Sequence, residues 1–295
     1  MNNLRTSLNT FLKKNVVVRV EEFDSGINFD RSIVFGAVEL GLLDKIFTPP
    51  NKSINGLTSL ATIIEEVSGI CGNTRNFFLV SCAMFGKTLE KFISINSFIL
   101  DIFNQVQNGS AIGAVAHTEK SGGSDHRSFE TRLQRSNNNS LILNGSKTWI
   151  TFAGIADYFL VSCYFNDELI FVLVPKISPG VKTQLINSIA GNRGSAISEI
   201  TFDNVLIDEA QILPSICHDS IWPIFEWIFS IGRVFAASSA IGLSKAAINM
   251  SFQRLKARES FGKKLIEFLQ KKQIGETVRS EERRVGKECL RLCRS

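Results

Sequence analysis

Apolar residues change their spacing twice along this chain, near Ala111 and again near Ile221, and that order constrains the fold more than any single motif. Before Ala111 they recur at helical intervals. From Ala111 they fall into short strand-like runs, and from Ile221 the helical interval returns. Blocks of helix, then strand, then helix build separate helical and β layers, not an alternating parallel sheet. The expected fold is α+β and multidomain. It comprises an N-terminal helical bundle over residues 1–110, a central antiparallel β barrel or sandwich over 111–218, and the start of a C-terminal helical bundle over 219–278.

Within the first block, "DRSIVFGAVELGLLDKIF" reads as one helix capped by Asp30. "GLTSLATIIEEVSGIC" follows, then "NTRNFFLVSCAMFGKTLEKF" with Asn73 as its N-cap. "SINSFILDIFNQVQNGS" closes a set of four or five helices at Gly109. The β block holds "AIGAVAH", "SFETRLQR", "SLILNGSKTWIT", "DYFLVSCYF", "ELIFVLVPK", "VKTQLI" and "SEITFDNVLI", with Asn144-Gly145, Asn166-Asp167 and Pro179-Gly180 as turns. A long helix then runs to Gly262, and "LIEFLQKKQIGE" starts another.

Bulk properties exclude several functions. A net charge of +5 gives little reason to expect a nucleic-acid partner. Cys71, Cys82, Cys163, Cys217, Cys289 and Cys293 form no C-x-x-C pair, and the first three read as buried thiols. His117, His126 and His218 show no metal-ligand spacing, so no metal is expected. The start lacks an apolar signal core, which implies a cytoplasmic protein. The most membrane-like stretch, "SIWPIFEWIFSIGRVFAASSAIGL", carries Glu226 and Arg233 and reads as a buried helix, so no membrane partner is expected.

Three stretches carry chemistry. "AHTEKSGGSD", Ala116 to Asp125, has the residue types of a phosphate cradle and equally of an ordinary surface turn. "KTWIT", Lys147 to Thr151, sets a flat apolar slab beside a hydroxyl at a strand end. That pair suits a planar heteroaromatic ring, and also suits a half-buried sheet tryptophan. "KARESFG", Lys256 to Gly262, combines charge, hydroxyl and ring, or simply answers a helix dipole with Gly262 near C′.

Together, "HTEKSGGSD", "NGSKTWIT" leading into "IADYFLVSC", "ITFDNVLIDEAQIL", "IGRVFAASSAIGLSKAA" and "KARESFGKKL" fall in one register. In that order the chain resembles the acyl-CoA dehydrogenase family over about residues 25 to 278. The resemblance implies FAD, bound between a β domain and a helical bundle. Thr118 would face the polar edge of the flavin, and Ser124 would lie near the pyrophosphate and the thioester arm of the substrate. Trp149 and Thr151 would cover one side of the ring and bond near its reactive nitrogen. Arg258, Ser260 and Phe261 would reach the FAD of a neighbouring subunit, which implies a homodimer or homotetramer. Lys120 departs from the family pattern, which has Pro there. The implied substrate is an acyl thioester, on CoA or on an acyl carrier protein, with Ser124 and Arg233 as substrate-binding residues. "CGNTRNFFLVSCAMFG", "ITFAGIADYFLV" and "AGNRGSAISEITFDNV" resemble the branch found in polyketide-type assembly lines. The electron acceptor stays open.

Two departures bear on activity. One family position for the catalytic Glu precedes the Arg of the long helix, and here that residue is Gly232, before Arg233. The other lies further downstream than this sequence runs. No catalytic residue is therefore assigned, and the 295-residue chain is expected to be a fragment, with weak or no FAD retention and no turnover. Residues 279–295, with "RSEERRVGKEC", resemble a translated sequencing adapter and are expected to be a non-native tail. Two alternatives stand beside the dehydrogenase: a flavin oxidase or monooxygenase of the same fold, and a non-catalytic flavin- or acyl-carrier-binding protein.

Overall fold

The computed structural model describes residues 2–26, 29–47, 53–214 and 222–268. His218, Cys217, Cys289, Cys293, the boundary at 218 and the expected tail at 279–295 lie outside the described residues. Contacts group the chain into two units, divided between Leu243 and Ser244.

The first unit opens with α1 (Asn2–Phe11), which passes through π-wound and 3-10 turns into α2 (Val20–Asp24). Then come α3 (Ser32–Glu39), α4 (Leu42–Ile46), α5 (Ser53–Ser68) and α6 (Gly72–Asn76). A π-wound stretch, Phe77–Gly86, joins α6 to α7 (Lys87–Leu89), and α8 (Ser97–Gln107) follows. Asp30 does cap: its Oδ1 accepts the Ser32 N–H at 2.8 Å. The helix expected to run on to Phe47 breaks instead at Gly41, whose φ of +66° is left-handed and separates α3 from α4. Asn73 is not the cap expected of it. Cys71 Sγ takes the Thr74 N–H at 3.5 Å, while the Asn73 amide is buried inside α6 and bonded elsewhere.

Seven strands form one sheet: β1 (Gly113–Ala116), β2 (Arg132–Arg135), β3 (Leu141–Ile150), β4 (Tyr158–Phe165), β5 (Glu168–Pro175), β6 (Val181–Leu185) and β7 (Ser198–Ile207). The order is β1-β4-β2-β3-β7-β6, with β5 on β4. Most pairs are antiparallel, as expected, but β1 and β2 both run parallel to β4. Short turns dictate antiparallel pairing only between the strands they join, and β1 and β2 are joined by the long loop holding Thr118–Asp125. Asn166 and Asp167, at φ +50° and +63°, make the β4–β5 turn. Asn144-Gly145 makes no turn; β3 runs through it with a register shift against β7.

Most of the described phenylalanines are core filler. Phe29 packs on Phe77 of the helical layer and on Phe152 beyond β3, at ring separations of 5.8 and 5.1 Å. Cys71, Cys82 and Cys163 are buried free thiols, as expected.

The long helix, α9 (Trp222–Ala257), differs from the buried helix expected. By length and composition it is apolar enough to cross a membrane, yet only 28% of its most apolar window is buried. Ile224, Ile228, Ile231, Phe235 and Ser239 bury one stripe at three- and four-residue spacing. Val234 and Ile241 lie off that stripe and are exposed. In the second unit, α9 gives way to β8 (Glu259–Ser260), β9 (Lys263–Lys264) and the short α10 (Leu265–Phe268). Residues 258–262 are therefore not a helix end, as expected, but part of a hairpin.

Candidate functional site

β3 ends in a bulge. Lys147 faces Ile200 and Ile150 faces Ser198, so one more residue stands on β3 than on β7. The excess is absorbed at Thr148–Trp149, and Trp149 takes φ +59°. A left-handed conformation is a genuine outlier for so bulky a side chain. The bulge turns the indole outward, leaving Trp149 56% exposed. Thr151 follows, half-buried, and Phe152 is again left-handed at φ +68°. The Phe152 N–H bonds Ser195 O at 2.9 Å, and the Gly154 N–H bonds Ala196 O at 3.0 Å.

The Thr118–Asp125 loop lies against this bulge: Thr118 O accepts the Thr148 N–H at 2.8 Å. Its tip is a tight turn closed by two backbone bonds between Glu119 and Gly122. Gly123 passes so near Thr118 that a Cβ there would lie 3.3 Å from the Thr118 hydroxyl. Ser124 is exposed on the same loop. Lys120 makes an ion pair with Glu199 of β7 at 3.2 Å, a mostly solvated contact of the kind that contributes about 0–1 kcal/mol.

Beneath the loop sits a polar network that motif reading does not single out. Lys147 Nζ meets Glu119 Oε1 at 2.7 Å, with side-chain exposures of 0% and 4%. The same ammonium donates to His117 O at 3.0 Å and Ser162 Oγ at 3.3 Å. Glu119 also accepts the N–H groups of Glu130 at 2.6 Å and Thr131 at 3.2 Å. His117 Nε2 lies 3.1 Å from Gly123 O, which can only accept, so Nε2 carries the proton. Nδ1 then accepts from the Ser162 hydroxyl at 2.9 Å. Phe225 and Phe229 of α9 and Phe129 pack edge-on to the imidazole.

Electrostatics follow from this packing. Burial, then the Lys147 charge, pushes His117 down to about 4 from 6.5. Burial raises the Glu119 carboxyl, but the bonds from Lys147 and Glu130 outweigh it and leave it below its ordinary value. Burial lowers Lys147, opposed by Glu119. Cys163, also buried, is raised to about 12 and is no nucleophile. The network is a neutral imidazole beside a closed ion pair, and its work is to pin the loop to β3 and β4. A signal for it exists in the sequence: Lys147 shares strand parity with Leu141 and Leu143, which puts a charge on the buried face.

The remaining site residues stand apart. Gly232 packs against Met84, whose Sδ would lie 3.3 Å from an added Cβ, and Arg233 is exposed on α9. Arg258, Ser260 and Phe261 gather in the hairpin of the second unit. Phe261 and Gly262, at φ +50° and +76°, form its turn, and Phe261 is 95% exposed.

An indole held out by a strained bulge, with Thr151 two residues on and Thr118 bonded through its backbone to Thr148, brings together the residue types that suit a planar ring with a hydrogen-bonding edge. These residues fit a flavin. The acyl-CoA dehydrogenase middle-domain model matches residues 114–205, which span the loop, the bulge and most of β7. The chain is similar to butyryl-CoA dehydrogenase of Megasphaera elsdenii, with a TM-score of 0.82 at 21% identity, over 91% of this chain and 72% of that one. That likeness defines an acyl-CoA dehydrogenase fold. The sequence is 26% identical over 274 residues to the probable acyl-CoA dehydrogenase YngJ of Bacillus subtilis, covering 90% of this chain and 70% of the relative. It is 30% identical over 263 residues to benzylmalonyl-CoA dehydrogenase of Aromatoleum aromaticum, covering 88% of this chain and 68% of the relative. The chain belongs to the acyl-CoA dehydrogenase family.

Proposed function

We propose that this chain carries the cofactor edge and thioester-binding part of an FAD-dependent oxidoreductase that removes α and β hydrogens from an acyl thioester. The observation that carries the reading is the strained, outward Trp149 at the end of β3, with Thr118 and Thr151 beside it. Bound FAD supplies the acceptor for the β-hydride. Trp149 would lie against the ring, and the Thr118 and Thr151 hydroxyls would be its hydrogen-bonding partners. Ser124 and Arg233 serve the thioester arm. Arg258, Ser260 and Phe261 serve a neighbouring subunit in a homodimer or homotetramer. The three-part organisation at 1–110, 111–218 and 219–278, a cytoplasmic location, and CoA or a carrier protein as the acyl handle belong to the same proposal.

The α-proton beside a thioester is a weak acid and needs a carboxylate base. Residue 232 cannot supply it, because Gly232 has no side chain. That observation favours a second reading: a non-catalytic flavin- or acyl-carrier-binding protein on the same scaffold.

The test is to titrate FAD into the purified chain, follow its absorbance, and then add acyl thioesters on CoA and on carrier protein. Weak FAD binding is expected, lost further in Thr151→Ala, with the bound flavin left oxidised by every thioester. Failure of any FAD to bind overturns the cofactor reading. Bleaching by a thioester overturns the inactivity and assigns the base to another carboxylate; its dependence on CoA or carrier protein then identifies the acyl handle.

A further inference from the structure

Four non-glycine residues with left-handed backbones, Trp149, Phe152, Asn192 and Ala196, lie on two segments that bond each other. Such conformations persist only where the surroundings over-determine them. Phe152, next to Thr151, donates its N–H to Ser195 O at 2.9 Å, and Gly154 donates to Ala196 O at 3.0 Å. The segment that accepts these bonds is tied on its other side to the helices. Gly194 O accepts the Phe29 N–H at 2.6 Å, and Arg193 Nη1 donates to Asp24 O at 3.2 Å. The buried centre of the tie is a side-chain triad. Asn76 Nδ2 donates to Ser195 Oγ at 2.9 Å, and Ser195 Oγ donates to Asn73 Oδ1 at 2.9 Å. Ser195 is 0% exposed, and Asn73 and Asn76 are nearly as buried.

We propose that Ser195, clamped by Asn73 and Asn76 of α6, is a positioning residue that holds the Trp149–Thr151 edge in its strained, outward form. The physical reason is directional. Apolar packing holds a turn in place but does not select one hydroxyl orientation, whereas a buried serine between one amide donor and one amide oxygen has a single satisfied geometry. That geometry fixes where Ser195 O points, and Ser195 O receives the Phe152 N–H. The functional half of the proposal rests on the reading of this edge as the flavin edge.

The test uses the full chain without FAD, labelled with 5-fluorotryptophan. Of its three tryptophan resonances, that of Trp149 is assigned through Trp149→Phe. Ser195→Ala is expected to shift or broaden the Trp149 resonance, leave the other two in place, and weaken FAD binding about tenfold in a separate titration. Asn96→Ala, which removes the α8 cap bond to the Ile99 N–H, controls for general destabilisation and should leave the Trp149 resonance unmoved. If Ser195→Ala does not fold, Asn73→Ala removes one arm of the triad and carries the same expectation. Ser195→Thr keeps the hydroxyl and should restore the wild-type resonance. An unmoved Trp149 resonance, an equal response in Asn96→Ala, or a moved resonance with unchanged FAD affinity each overturns the proposal. Wild-type protein that binds no FAD sinks the flavin reading by itself, and the resonance then still decides whether Ser195 positions the edge.

Discussion

Lys147 and Glu119 meet at 2.7 Å with almost no water contact, so each depends on the other for its charge. Removing one partner of such a pair strands a buried charge, at a cost of about 3–5 kcal/mol. Lys147→Met is therefore expected to lower unfolding free energy by that amount in urea titrations, and a loss under about 1 kcal/mol would refute the pinning role. Lys147→Met combined with Glu119→Leu should recover much of the loss, because no orphan charge remains. His117 adds a pH dependence of definite sign. Its folded value is about 4 against 6.5 unfolded, so between those pH values the unfolded chain binds a proton that the folded chain does not. Stability then falls as pH drops from about 6.5 to about 4, by roughly 3 kcal/mol at most, and this contribution flattens below that. Glu119, whose carboxyl is held below its ordinary value, adds a further loss only at pH under its unfolded value of about 4.5. Chemical denaturation at a series of pH values, with His117→Gln as reference, checks this. An equal slope in both proteins between pH 4 and 6.5 would show that another group titrates.

At the scale of elements, the β3 bulge is the feature that builds the site. A left-handed φ costs an L-residue roughly 1–2 kcal/mol and costs glycine almost nothing. Trp149 stands at +59°, so the usual preference for alanine over glycine in a strand should reverse there. Trp149→Gly is expected to be more stable than Trp149→Ala by about 1 kcal/mol in thermal or urea unfolding. Both should bind FAD more weakly than wild type. Alanine matching or exceeding glycine would show that the backbone at 149 is not strained. Strand existence was legible from alternation, and the bounds of β7 coincide with "SEITFDNVLI". The bulge was not legible, because "KTWIT" alternates no differently from a straight strand. Only pairing with β7, where Thr148 and Trp149 stand against the single residue Glu199, forces the extra residue out.

Across the whole molecule, α9 covers only one of its faces in the first unit. Val234 and Ile241, seven residues apart on the same side, stand 59% and 50% exposed. Apolar stripes of this kind on a soluble protein mark association surfaces. The chain is expected to elute above its monomer mass, and Val234→Lys with Ile241→Lys should shift it to monomer by light scattering. An unchanged mass in the double variant would place any association elsewhere.

The helix–strand–helix order and the antiparallel bias follow from local spacing and residue type, and the register of Thr118, Trp149, Thr151 and Arg258 from the resemblance of short motifs to a family; these are properties a sequence carries along its length. Tertiary structure alone decided the rest. Asn73 has the residue type of an N-cap, but its amide is taken by Ser195, more than a hundred positions away in the chain. Glu119 and Lys147 are ordinary charged residues until the loop after β1 folds onto β3 and brings them together in a space closed to water. The apolar run at 220–243 reads as buried, but burial depends on how many faces a partner covers, and one stripe of α9 is covered here. Each difference has the same cause: propensity and periodicity are sums over neighbours in sequence, whereas desolvation, hydrogen-bond partnering and strain are set by neighbours in space.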